Sequence, residues 1–202
     1  MKIALPLPVF LGLFLALLGG GCAPMKEYVV LSYVPQKGVT PITSAASTRV
    51  TVEMEDQRTK KNNIGQAEAY GSDTPTVTGL LMTSNDVPAF VKSAIESELK
   101  NRGFDTNGGD AVVVVKLKRF ESNMSVYSAA GIDVDGTVEM DVAVQRIDGS
   151  SPYQKTIIGD FDRGASIFKA KPKEGIIEAM NKAMANLFSD QDFINALIQS
   201  KS

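Results

Sequence analysis

The chain of 202 residues contains one cysteine, Cys22, and no histidine. Those two counts bound its chemistry before any element is placed. One thiol allows neither an internal disulfide nor a thiolate cluster for zinc or iron–sulfur. Without histidine the usual general base near neutral pH and the commonest metal ligand are missing. Serine–histidine and cysteine–histidine nucleophiles are thereby excluded. Carboxylates or a Ser–Lys pair remain as catalytic inventory, and the chain is read as a non-enzyme with no metal site and no cofactor. A lone cysteine can still supply a point of covalent attachment.

The residues before Cys22 have the order that attachment requires. Lys2 supplies a positive start, an apolar run extends from about Val9 to Leu18, and Gly19-Gly20-Gly21 leads directly into the cysteine. Charge, a short apolar stretch and small residues are the marks of a secretory signal. A membrane-spanning helix is the competing reading. Pro6 and Pro8 break its first turns, and the apolar core falls short of the ~20 residues a span needs. An ordinary signal with Cys22 as a bystander is opposed by the glycine-rich approach to the chain's only thiol.

The segment resembles the bacterial lipobox, departing from it at Gly19, where leucine is usual. The resemblance implies a signal peptide over residues 1–21, cleaved before Cys22, and diacylglycerol plus an acyl chain such as palmitate on that cysteine. At ~0.8 kcal/mol per buried CH₂, two or three chains hold where one would not. Ala23 in place of aspartate implies the outer membrane, with the chain facing the periplasm.

The second group that could do chemistry is acidic. Asp133, Asp135, Glu139 and Asp141 share one face of an alternating stretch, Ile132–Arg146, with Val134, Val138, Met140, Val142 and Val144 on the other. Carboxylates suit hard cations. Strand residues two apart are ~6.5–7 Å apart along the chain, however, so these acids form a row instead of a cage. Asp135-Gly136 lacks the remaining spacing of a calcium loop. Lys116, Lys118, Lys155 and Arg163 lie on neighbouring strands and can pair across to the row. It reads first as solvated, cross-paired surface and second as a cation or partner patch. Lys169, Lys171 and Lys173 alternate in a loop and face the same choice between solvation and an anionic partner.

The elements that must position these residues are read from periodicity. Residues 22–48, interrupted by Pro24, Pro35 and Pro41, read as a lipidated N-terminus and tether. Within it Tyr28–Val34 is either a short docking strand or plain linker. The domain proper is expected over 49–202. Val50, Val52 and Met54 mark a strand, Lys60–Gly65 a polar turn, and Thr76–Met82 a second strand. Asp56 and Arg58 close the first strand as an ion pair or turn bond, worth ~0–1 kcal/mol if exposed. A helix follows, capped by Ser84 or Asn85, with the apolar stripe Val87, Phe90, Val91, Ala94, Ile95 and Leu99 and a stop at Gly103. Asn107-Gly108-Gly109-Asp110 then leads into strands at Ala111–Phe120, Ile132–Arg146 and Tyr153–Gly164, the last two forming a hairpin. Two closing helices carry Ile176–Phe188 and Phe193–Leu197, the second opened by a Ser189–Asp192 capping box. The order predicts an α+β fold, a single domain with a mainly antiparallel sheet and helices on one face.

Composition agrees with a globular domain, at 44% hydrophobic and 22% charged residues. The net charge of −2 is too mild and of the wrong sign for nucleic acid. Several stretches resemble the YajG family of lipoproteins: Val50-Thr51-Val52 into Asp56-Gln57-Arg58, Ile64-Gly65, Leu99-Lys100-Asn101-Arg102-Gly103-Phe104, the valine strand from Ala111, and Asp192-Phe193-Ile194. The resemblance spans roughly residues 47–200. It implies an outer-membrane-associated lipoprotein of unestablished function and carries over no catalytic residues. The functional expectation is a non-catalytic binding or assembly module, held on the membrane by lipid, with a protein partner in the cell envelope or a second copy of itself. The alternative is an auxiliary subunit of an envelope transport complex.

Overall fold

The computed structural model describes residues 24–61, 63–71, 74–127, 131–146, 148–164 and 171–199. Cys22 and Lys169 lie outside them. The strands are β1 (Met25–Val29), β2 (Val50–Asp56), β3 (Gly65–Tyr70), β4 (Thr76–Thr83), β5 (Ala111–Tyr127), β6 (Gly131–Arg146) and β7 (Tyr153–Asp162). The helices are α1 (Val87–Asn101), α2 (Pro172–Ser189) and α3 (Gln191–Ile198). The strands form one seven-stranded sheet in the order β1-β4-β3-β5-β6-β7, with β2 also beside β5.

β5 organises the sheet. β6 pairs antiparallel along one of its edges from Ala111 to Tyr127. The other edge is divided between two parallel strands, β2 along Ala111–Leu117 and β3 along Ser122–Tyr127. β2 and β3 are thus successive passages of the chain along one edge, so both share the direction of β5. The sheet is mostly antiparallel, with parallel pairs at β1–β4, β2–β5 and β3–β5. β3 falls just after the predicted polar turn and is absent from the expected order. Its residues Gln66, Ala67, Glu68 and Ala69 have no apolar alternation to announce it.

A register shift between Leu117 and Arg119 explains why the valine pattern stops near Phe120 while the strand runs on to Tyr127. Lys118 is the extra residue, so the buried face passes from Leu117 to Phe120 and Ser122 and the alternation breaks. The four valines divide unequally: Val113 and Val115 are fully buried, whereas Val112 and Val114 are only partly covered.

One core joins the buried strand residues to the helix stripes. Val113, Val115 and Leu117 of β5 and Val138, Met140 and Val142 of β6 meet Ile95 and Leu99 of α1 and Ile176, Met180 and Leu187 of α2. The approach of α2 is set by glycines. A Cβ on Gly136 would lie 2.3 Å from the Gly175 carbonyl oxygen, and one on Gly159 would lie 2.1 Å from that of Ala179. Gly136, which the sequence sets beside Asp135, is therefore a packing residue. It lets helix backbone rest on strand backbone.

Two caps differ from expectation. α1 is capped by Asp86, which accepts from the Ala89 N–H at 3.0 Å. Asn85 is occupied elsewhere, accepting from the Leu31 N–H at 2.8 Å and donating to its carbonyl at 3.3 Å. Ser189 closes α2, and Asp190 opens α3 by accepting from the Asp192 N–H at 3.0 Å. Asp190 also accepts from Tyr153 Oη at 3.1 Å and Lys155 Nζ at 2.9 Å. Asp190→Ala is expected to lower stability by about 1–2 kcal/mol, since an N-cap and two cross-links go together; denaturant midpoints read the loss.

The expected tether is the largest departure. Residues 25–48 are fastened down along their length. β1 pairs with β4 over Met25–Val29, Asn85 holds Leu31, Gln36 contacts α1, the Ile42 N–H donates to the Arg102 carbonyl, and Ala45 is fully buried. The strand begins at Met25 and ends at Val29, ahead of most of the apolar run that suggested it. Its pairing depends on β4, some fifty residues later, and local composition cannot report that contact.

Candidate functional site

Cys22, the predicted attachment point, precedes the described residues. Only three residues beyond it, Met25 is already in register with Gly79 of β4. β1 is an edge strand, so among the described residues one side of its backbone has no strand beside it. An apolar cleft of about 190 Å³ opens against this edge, lined by Met25, Ala67, Leu80, Leu81, Met124 and Pro172.

The acidic row is present on β6 and does not converge. Asp141 accepts from the Thr156 hydroxyl at 2.7 Å and lies 3.2 Å from Lys118 Nζ. The Thr156 bond, followed by Lys118, holds its carboxyl below the ordinary aspartate range. Asp135 accepts from both the backbone and side-chain N–H groups of Asn123, at 3.2 Å each. Its carboxyl moves upward instead, burial outweighing those bonds. Asp133 Oδ1 is buried without a hydrogen-bond partner among the described residues. No group of three or more acids able to hold a metal occurs among the described residues. Of the basic residues expected to pair with the row, Lys118 does, whereas Lys155 turns to Asp190 and Arg163 to Glu174.

Arg58, expected in a strand-end pair, is buried at 5% exposure. Its Nε and Nη2 donate to the two carboxylate oxygens of Asp56 at 2.9 and 3.0 Å. The pair lies where the chain leaves β5 after Gln57, before it returns at Ile64, and Arg58 Nη1 is buried without a hydrogen-bond partner among the described residues. A polar cleft of about 320 Å³ opens there, lined by Arg58, Lys60, Asn63, Lys118, Arg119 and Glu121. Its charges are largely matched within the fold, Arg119 with Glu121 and Lys118 with Asp141.

A second buried pair has no counterpart in the sequence expectations. Glu98 is fully buried on α1 and bonds to Arg102 one turn later. It also accepts from Tyr33 Oη and, at 2.8 Å, from the Gln36 N–H. Arg102 Nη2 donates to Gln36 Oε1 at 2.6 Å, and its guanidinium lies 4.3 Å above the Phe188 ring. The i,i+4 spacing of Glu98 and Arg102 was the available signal, but it reads equally as a surface pair.

Tyr33 shows the electrostatic consequence. Burial first, then its bond to Glu98, raises its hydroxyl above the ordinary tyrosine range. Tyr153 is raised likewise, by burial and then by Asp190. A folded-state rise means stability fully present below the unfolded value of about 10 and lost as pH climbs above it. Denaturant titrations should therefore show falling stability above about pH 10, with a shallower fall in Tyr33→Phe. Phenolate absorbance would show these two hydroxyls ionising with unfolding; ionisation in the intact fold would refute the assignment.

Among the described residues no helix is long and apolar enough to cross a membrane. A family model described as uncharacterized lipoprotein matches residues 35–198, which spans the sheet from before β2 through α3. The chain belongs to this YajG family of lipoproteins. No curated protein matches it by sequence. Among solved structures it is similar to protein XCC0632 from Xanthomonas campestris, of family DUF330, at 10% identity and a TM-score of 0.57. That match covers 87% of this chain and 100% of the other. A second, an uncharacterized protein, matches at 8% identity and a TM-score of 0.50, over 84% and 99% of the two chains. At such identities the likeness is one of fold. Membership of a lipoprotein family places the chain with membrane-anchored envelope proteins.

Proposed function

We propose that this lipoprotein is a non-catalytic binding or assembly module, anchored by lipid on Cys22 to the outer membrane and facing the periplasm. The observation that carries the reading is the use made of its charged groups. Asp56 with Arg58, Glu98 with Arg102, Asp141 with Lys118 and Asp190 with Lys155 are each held in an ion pair, and those that line a cleft, Arg58 and Lys118 in one and Lys155 with Asp190 in another, are already paired there. Groups held in such pairs stabilise geometry and are poorly placed to exchange protons with a substrate.

Two measurements test it. Labelled palmitate should enter the protein, and Cys22→Ala should release it from the membrane; retention of that variant on the membrane would refute the anchor. Mild cross-linking of the extracted protein should then capture an envelope partner or a second copy. A stoichiometric transporter would identify it as an auxiliary transport subunit instead. Hydrolase activity abolished by substitution of Asp133 or Asp141 would overturn the non-catalytic reading.

A further inference from the structure

We propose that the β1 edge of the sheet lies on the bilayer surface, with Met25 and Tyr28 seated in the headgroup layer. The inference rests on the anchored reading of Cys22 and adds to it an orientation and a contact surface. Its first support is reach. From Cys22 to Met25 the backbone spans at most about 11 Å, at ~3.6 Å per residue. The headgroup zone outside the hydrocarbon core is itself roughly 5–8 Å deep on each side. Met25 is hydrogen-bonded into the sheet, so the sheet edge, and not a free segment, must sit at that distance from the lipid.

The second support is where apolar surface is exposed. Six large hydrophobic side chains are exposed among the described residues. Met25, Tyr28, Val30 and Val34, at 64–77%, belong to β1 and the chain just after it. Val77, at 41%, lies two residues before Gly79, the partner of Met25. Because β1 and β4 run parallel, Val77 is at the end of the sheet from which the chain leads back to Cys22. The sixth, Ile158 at 44%, is on β7, the opposite edge. Isolated exposed apolar residues are ordinary, but Met25, Tyr28, Val30 and Val77 on or beside the anchored edge form a local bias, whereas Val34 lies against α2 beside Asn181 and Lys182.

The third support is the pleat. Successive side chains alternate between faces, so Met25 and Tyr28 project from opposite sides of β1. An edge-on approach to a flat surface touches both, whereas a partner covering one sheet face would touch only one. Tyrosine suits the headgroup layer, with an apolar ring and a polar tip. The unpaired backbone groups of the edge stay hydrated there, and so escape the cost they would meet in hydrocarbon. Lys26 alternates with Met25 and can meet lipid phosphates.

The protein contains no tryptophan, so one introduced ring is the only indole emitter. Tyr28→Trp and Ile158→Trp are prepared in the full lipidated protein and placed in phosphatidylethanolamine–phosphatidylglycerol vesicles with brominated acyl chains. Across the sheet the two positions are separated by five strand spacings, about 24 Å at ~4.8 Å each. Emission of the Tyr28→Trp protein should shift to the blue and lose most of its intensity, more with bromine near the ester end of the chains than near their middle. The Ile158→Trp protein should keep its emission. If the Tyr28→Trp protein floats with the vesicles and carries palmitate while its indole remains unquenched, the orientation is wrong and the anchor stands. If neither palmitate nor flotation is found, the anchored reading itself has failed. A blue shift of the Tyr28→Trp protein that depends on its concentration without vesicles would instead assign the edge to a second copy, and would also overturn the proposal.

Discussion

Arg102→Ala is expected to cost about 3–5 kcal/mol, the range for removing one partner of a buried ion pair. Glu98 has no access to solvent, so losing the guanidinium leaves its carboxylate in a site it cannot leave. The Tyr33 hydroxyl and Gln36 N–H would still donate to it, but neither supplies a positive charge. The same substitution removes the contact over Phe188, and with it a link between α1 and α2. Removing both charges behaves differently, since apolar pairs of similar volume replace buried ion pairs at little net cost. Glu98→Met/Arg102→Met should accordingly recover a large part of the loss. Urea midpoints of the four proteins of this cycle measure the coupling. A single-variant loss below about 1 kcal/mol, the ordinary size for an exposed pair, would show that the site is wet. Protease cleavage within residues 30–42 should rise in Arg102→Ala, because Gln36 and the segment around it are held through this cluster.

The other large effect is expected at Gly159. A Cβ there would stand 2.1 Å from the Ala179 carbonyl oxygen and 2.4 Å from the Ala183 nitrogen, both backbone atoms of α2. A side chain could swing aside; a helix backbone moves only as a body. Gly159→Ala is thus expected to destabilise by about 3 kcal/mol, the upper part of the range for an overpacked core. Gly136→Ala should act alike, pressing on Gly175 from β6. Gly149 is the matched control, a turn glycine at φ +83° with open space around it. Its alanine variant carries only left-handed backbone strain, about 1–2 kcal/mol. If thermal or denaturant unfolding ranks Gly149→Ala above Gly159→Ala, the close contact of α2 with the sheet is misassigned.

How far the sequence could be read depends on the range of the interaction that makes each feature. α1 was legible apart from its cap, because its stripe and Gly103 act within a few positions of one another. β6 was legible because fifteen residues of alternation leave only one face to bury. The divergence of its acids is set by pleat spacing alone. β3 was not legible: it is held by β4 and β5, which begin after it, and its own residues alternate weakly. β1 was half legible, as an apolar run whose docking partner could not be named. An edge strand with apolar residues on both faces has no period for a sequence to display.

By itself, the sequence determined the chemical inventory and the types of most elements. One thiol comes after a run of glycines, no histidine exists, and the helix and strand periods are written in the order of residues. Only the tertiary structure decided what those elements rest on. It made Gly136 and Gly159 contact points for α2, put Arg58 and Glu98 under the surface, and tied residues 25–48 to the domain. Periodicity says which face of an element is buried and is silent on how close its neighbour comes. It is equally silent on which distant residue answers a buried charge. For this lipoprotein that silence mattered most just after Cys22, where an expected flexible spacer is a strand of the sheet.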